Sequence, residues 1–107
     1  MQPITDREGF EHLTTLPACL FLKHGARCPI SANARDEVTR FVAMYPRVPA
    51  YSLEVTENRE LAREIAASLG VHHESPQLFL LQLGRAAWHV EHYDINSYDI
   101  GRRLAEK

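Results

Sequence analysis

Ala18-Cys19-Leu20-Phe21-Leu22 runs into Lys23-His24-Gly25-Ala26-Arg27 and then into Cys28-Pro29-Ile30-Ser31. The first five residues form a near-continuous apolar run, the pattern of a strand covered on both faces. The polar stretch from His24 to Arg27 reads as a loop. Pro29 stands where a proline suits the first turn of a helix, and Ile30, Ala34, Val38, Phe41, Val42 and Tyr45 recur at helical spacing before Pro46 stops the pattern. Cys28 is therefore expected to enter a helix directly from a buried central strand. A helix N-terminus offers unpaired N–H groups and the positive end of the macrodipole, and both favour a thiolate.

Working outward, Thr5-Asp6-Arg7-Glu8 has the spacing of a capping box and predicts a short helix to about Leu16, ended by Pro17. Ala50 to Val55 reads as a second strand. The turn Thr56 to Asn58 leads to a helix with Leu61, Ile65 and Leu69 four apart and Gly70 as its stop. Gln77 to Leu83 is a strongly apolar strand, Gly84-Arg85 a tight turn, and Ala86 to His92 the hairpin partner. Asn96, three residues before Asp99, starts a last helix running towards Lys107. The order α-β-α-β-α-β-β-α joins a parallel βαβ half to a ββα half. This is the thioredoxin-like α/β arrangement: a four-stranded mixed central sheet with helices on both faces, in a single domain over residues 1–107.

The composition narrows the function. A net charge of −2, with Lys and Arg scattered, lacks the basic stripe that nucleic acid demands. No apolar run approaches the length needed to span a bilayer, and the N-terminal segment lacks a charged-then-apolar signal pattern, so we expect no membrane association and a cytoplasmic protein. Two cysteines are too few for a secreted disulfide scaffold. They cannot pair with each other. The strand from Cys19 to His24 alone covers about 16 Å, whereas a disulfide needs Cα atoms within about 7 Å. Cys19, inside the apolar run, is read as structural, and Cys28, flanked by His24, Arg27 and Ser31, as reactive.

In such a fold a proline just before the third strand carries the second half of the site, and Ser75-Pro76-Gln77 occupies that place. A cis Ser75-Pro76 bond is expected, keeping the Ser75 backbone extended so that it can pair with a substrate. Ser31 stands where a second cysteine would allow an internal disulfide, and its hydroxyl can instead donate to the Cys28 thiolate. Lowering a thiol pKa from ~8.5 to ~6.5 raises the thiolate fraction near neutral pH roughly tenfold, while a Brønsted slope of about 0.4 to 0.5 takes back six- to tenfold in nucleophilicity. The gain lies in leaving-group ability. Adjacent His72 and His73 point to opposite faces of an extended segment, and no closed four-ligand spacing exists, so no metal site is expected. Trp88 is read as core or groove wall, and the charges from Glu57 to Glu64 as a helix start and its solvated face.

Lys23-His24 before Cys28-Pro29-Ile30-Ser31, then Glu57-Asn58-Arg59, His73-Glu74-Ser75-Pro76-Gln77, and Trp88 followed by His92, resemble the YtxJ family of monothiol bacilliredoxins over nearly the whole chain. The resemblance implies a protein that removes the low-molecular-weight thiol bacillithiol from mixed disulfides on S-thiolated cytosolic proteins. Bacillithiol would be its co-substrate, and no cofactor would be bound. On this reading Cys28 is the nucleophile and Ser31 and Pro29 complete the catalytic motif, while Ser75, Pro76, His24, Arg27 and Ile30 face the substrate. Two other functions stay open at this point. One is a non-catalytic thioredoxin-like module that grips a client along Ser75-Pro76 and the apolar face near Ile30. The other resembles the iron–sulfur carriers among the monothiol glutaredoxins, against which Pro29-Ile30 stands where those proteins tend to have Gly-Phe.

Overall fold

The computed structural model describes residues 1–105. Five strands, not four, form one sheet in the order β1-β3-β2-β4-β5: Gln2–Pro3 (β1), Cys19–His24 (β2), Ala50–Glu54 (β3), Gln77–Gln82 (β4) and Arg85–Glu91 (β5). The helices are Arg7–Leu13 (α1), Pro29–Met44 (α2), Arg59–Leu69 (α3) and Ser97–Ala105 (α4), with a 3₁₀ turn at His92–Asp94. The extra strand is the two-residue β1, parallel to the outer edge of β3. Such a short strand has no alternation to read, and its proline is tolerated because it lies at the edge of the sheet. It is secured by Ile4, whose N–H donates to Ser52 O at 2.8 Å and whose side chain is buried.

The apolar run of β2 divides between two cores because successive side chains point to opposite faces. Cys19 and Phe21 pack with Phe10, Leu13, Leu53, Ala62, Ile65, Phe79 and Leu81 beneath α1 and α3. Leu20 and Leu22 pack with Ala34, Val38 and Phe41 of α2, and with Leu78, Leu80, Ile95 and Ile100. Trp88 lies partly buried against this second core, with the Arg103 guanidinium 5.5 Å from its ring. β2 runs parallel to β3 and antiparallel to β4, so it is central, and the loop after His24 emerges where β3 also ends.

Three local expectations change. The cap of α1 is Asp6, not Thr5: its carboxylate accepts the Gly9 N–H at 2.7 Å, and the helix stops at Leu13. Asp is the stronger capping residue and lies one position nearer the apolar face. The hairpin turn is Leu83–Gly84, both at positive φ (51° and 79°), with Arg85 already in β5. Two consecutive left-handed residues match the twist of a two-residue hairpin loop. At the last helix the expected cap is present, Asn96 Oδ1 accepting the Asp99 N–H at 2.9 Å.

On the α3 face one sheet row is polar. Lys23, Gln77 and Glu91 are register neighbours on β2, β4 and β5. Lys23 is fully buried and donates to Gln77 Oε1 at 3.0 Å, while Gln77 Nε2 donates to Glu91 at 3.0 Å and to His72 O at 3.1 Å. Burial lowers the Lys23 pKa to about 8, and nearby Glu74 and Glu91 offset only part of it. Below pH 8 the folded state therefore carries a desolvated charge. From there to the unfolded value near ~10.4 the unfolded chain binds the extra proton, so stability rises with pH. Measured by urea unfolding against Lys23→Met, the wild type should gain about 3 kcal/mol over that window. A pH-independent difference would refute the buried charge.

Candidate active site

Cys28 is the N-cap of α2, with an extended backbone (φ −96°, ψ 123°) and Pro29 following at the first helical turn. No acidic residue lies in that turn to counter the helix dipole. The Cys28 thiol is held below the ordinary cysteine value. The Ser31 backbone N–H acts most strongly, and with the Ile30 N–H, the Ser31 hydroxyl and the Arg35 charge it outweighs the opposing effect of burial. Cys19 is the opposite case: burial pushes its thiol up to about 11, and both cysteines are free.

Ser31 is fully buried and has two roles at once. Its Oγ accepts the Gly25 N–H at 2.9 Å, closing the loop onto the helix start, and its own proton is left to donate to the thiolate. Gly25 packs against this point. A Cβ added there would lie 3.7 Å from Cys28 Cβ, 3.7 Å from Ser31 Oγ and 3.9 Å from Thr56 Oγ1.

Two residues that the sequence reading passed over build the surroundings. Arg35 lies two turns along α2 from Cys28 and donates to Gly25 O at 3.1 Å and to His24 Nδ1 at 3.2 Å. A guanidinium can only donate, so His24 Nδ1 accepts and the ring proton sits on Nε2. Burial and then Arg35 lower the His24 pKa, with Glu54 opposing, so this imidazole is neutral. Glu54, ending β3, accepts from Ala26 N at 2.8 Å, Thr56 N at 3.1 Å and Glu57 N at 2.9 Å. Burial works to raise its carboxyl, but those N–H groups win and hold it below the usual range. Glu54 thus ties the Cys28 loop to the turn before α3. Neither residue carries a signal of its role in the sequence, since a charge along a helix and a carboxylate ending a strand both read as solvated.

The Ser75-Pro76 bond is cis, and Pro76 O accepts the His92 N–H at 3.0 Å. The β2–β4 register sets Gln77 opposite Lys23, so Pro76 leaves the sheet at the same end as the Cys28 loop. Ser75 and Ile30 are half-buried, Pro29 is exposed, and the exposed Arg27 has no side-chain partner among the described residues. No group of three His, Cys, Asp or Glu suited to a metal ion occurs among the described residues. His72 and His92 both face Glu74, at 3.8 and 3.3 Å, and His89 pairs with Glu91. No helix among the described residues is long and apolar enough to cross a membrane.

A strand-to-helix cysteine with a buried serine one turn on, in a sheet of this topology, defines the class: a thioredoxin-fold protein of thiol–disulfide redox chemistry with one cysteine at its helix start. The chain belongs to the monothiol bacilliredoxin family, because the family model described as Monothiol bacilliredoxin BrxC matches residues 2–100. A solved protein with a thioredoxin fold is similar at 33% identity and TM-score 0.91, over 96% of this chain and 92% of that one. Oxidised mitochondrial thioredoxin 3 of Saccharomyces cerevisiae is similar at 15% identity and TM-score 0.78, over 100% and 95%. Thioredoxin of Trypanosoma brucei brucei is similar at 12% and 0.79, over 97% and 87%. At these lower identities the likeness is one of fold alone.

Replacing Ser31 by Ala removes the thiolate's hydroxyl donor and leaves the Gly25 N–H without its acceptor. The pH midpoint for alkylation of Cys28 by iodoacetamide should rise towards that of free cysteine, while the rate near pH 7 changes less than about threefold because greater nucleophilicity offsets the lost thiolate. An unchanged midpoint would show that the backbone N–H groups alone hold the thiolate.

Proposed function

We propose that the protein removes bacillithiol, or a similar low-molecular-weight thiol, from mixed disulfides on cytosolic proteins through Cys28. The observation that carries this reading is a single half-exposed thiol at the start of α2, acidified by N–H donors, beside a buried Ser31 that cannot resolve a disulfide.

In the first step the Cys28 thiolate attacks the low-molecular-weight sulfur of the mixed disulfide. A Cys28–thiol disulfide forms as the old S–S bond breaks, and the client leaves as a thiolate that takes a proton from water. A second molecule of the small thiol then attacks the outer sulfur of the adduct, displacing the Cys28 thiolate and leaving the small thiol as its own disulfide. Two electrons from two small thiols thus reduce the client. The N–H groups of Ile30 and Ser31 favour this second step because they stabilise Cys28 as the departing anion. Ser75, half-buried in the bend at the cis Pro76, offers its backbone to the client, while Ile30 supplies an apolar contact and Arg27 and His24 border the opening. No bound cofactor enters either step.

The test mixes reduced protein with a bacillithiol-modified peptide and follows intact mass. Reduced peptide should appear with one bacillithiol adduct on the protein, lost in Cys28→Ser and kept in Cys19→Ser. Free Cys28 with the peptide retained uncleaved would replace the reading by a non-catalytic binding module.

A further inference from the structure

A second opening lies on the α3 side of the Cys28 loop. It encloses about 280 Å3 and is lined by Val55, Thr56, Arg59, Ala62, Arg63 and His73, with no carboxylate among them. Arg59 and Arg63 are one turn apart on α3, both exposed, and neither has a hydrogen-bond or ion-pair partner among the described residues. Of the nearby acids, Glu64 pairs with Arg7, Glu54 is bound by three N–H groups and Glu74 faces His72 and His92, while Glu57 and Glu60 line the neighbouring hollow and not this one. His73 Nδ1 is buried without any partner. A buried polar atom left this way calls for a ligand or a water. Burial, and then the Lys23 charge, keep its imidazole neutral, so Nδ1 can carry a proton to donate.

The opening adjoins the redox centre. Thr56 Oγ1, on its rim, and Cys28 Cβ lie 3.9 and 3.7 Å from the point where Gly25 would carry a Cβ, so the rim and the redox centre flank the same glycine. A molecule whose sulfur is at Cys28 can therefore extend past Thr56 towards the two arginines. Two guanidiniums one helical turn apart suit two carboxylates, each able to take a bidentate pair.

We propose that this cavity is the recognition site for the carboxylate end of the low-molecular-weight thiol, with Arg59 and Arg63 as charge partners and His73 and Thr56 as hydrogen-bond donors. The inference deepens the reading of Cys28 as a thiol-exchange nucleophile and rests on it. Bacillithiol, a glucosaminyl malate bearing a cysteinyl group, presents two carboxylates at the end remote from its sulfur. Cysteamine has the thiol and no acid, and coenzyme A carries phosphates instead.

The site is tested first without turnover. Reduced bacillithiol is titrated into Cys28→Ser protein while amide and side-chain NMR signals are followed. Shifts should centre on Thr56, Arg59, Arg63 and His73 and vanish in an added Arg59→Gln/Arg63→Gln pair whose thermal melt shows it folded. Shifts elsewhere, or shifts that survive the double substitution, overturn the site. Equal or tighter binding of coenzyme A at the same residues overturns its assignment to carboxylates. With Cys28 intact, the ratio of rates on bacillithiol-modified and cysteamine-modified forms of one peptide should fall about tenfold in the double variant, and an unchanged ratio also overturns the site. If the NMR shifts appear but the intact protein takes no bacillithiol from the peptide, the exchange reading fails while the binding site stands.

Discussion

A strand covered on both faces can present chemistry only at its ends. Phe21 and Cys19 are sealed under α1 and α3, Leu20 and Leu22 under α2, and β3 and β4 take both hydrogen-bonding edges of β2. The chain therefore leaves the sheet at His24 as the only part of this segment free to meet solvent, and within a few residues it must turn into α2. Everything functional hangs on how that short return is held. Ser31 pins it from the helix side through the Gly25 N–H, Arg35 from one turn further along the same helix through Gly25 O, and Glu54 from the neighbouring strand through Ala26 N. Three bonds from two elements, α2 and β3, fix a loop that the sheet alone would leave loose.

The electrostatics follow from the same geometry. The Cys28 thiol is acidified chiefly by backbone N–H groups, which are part of the helix and need no side-chain ordering to act, with Arg35 as a lesser contribution. Burial and then Arg35 lower the His24 pKa, which disfavours a charge there. An acidified thiol of this kind gains little as an attacking group and more as a leaving group, which suits chemistry in which the adduct must be released by another molecule.

Much of this was legible in the residues. The unbroken apolar run at 18–22 placed the central strand, Pro29 marked the helix start, and Ser75-Pro76 before an apolar strand located the cis bond. What escaped the reading depends on contacts between distant parts of the chain. β1 is two residues whose only signal is the edge of β3. Leu83 at positive φ contradicts its own preference and follows from the hairpin it closes. Arg35 and Glu54 look like solvated charges until the fold brings the Cys28 loop between them, and Arg59 and Arg63 look like one face of an amphipathic helix until His73 closes the cavity opposite. The buried Lys23 is the clearest case, since a lysine ending an apolar strand reads as the point where the strand meets water. Its ladder through Gln77 to Glu91 exists only because the register aligns three polar side chains on one row.

Ser31 shows why a change of one atom carries so much. A cysteine in the same buried position would offer sulfur to the Gly25 N–H, a weak acceptor in place of a hydroxyl oxygen, and would lie where the helix start already aims its donors at Cys28. With oxygen there, the loop gains a full hydrogen bond and the thiolate gains a donor, while an internal disulfide becomes impossible. The substitution thus exchanges an intramolecular route out of the mixed disulfide for a firmer grip on the group that must leave. A protein so built depends on a thiol supplied from solution, and the discrimination that a second cysteine would make unnecessary has to reside in the surface around Cys28.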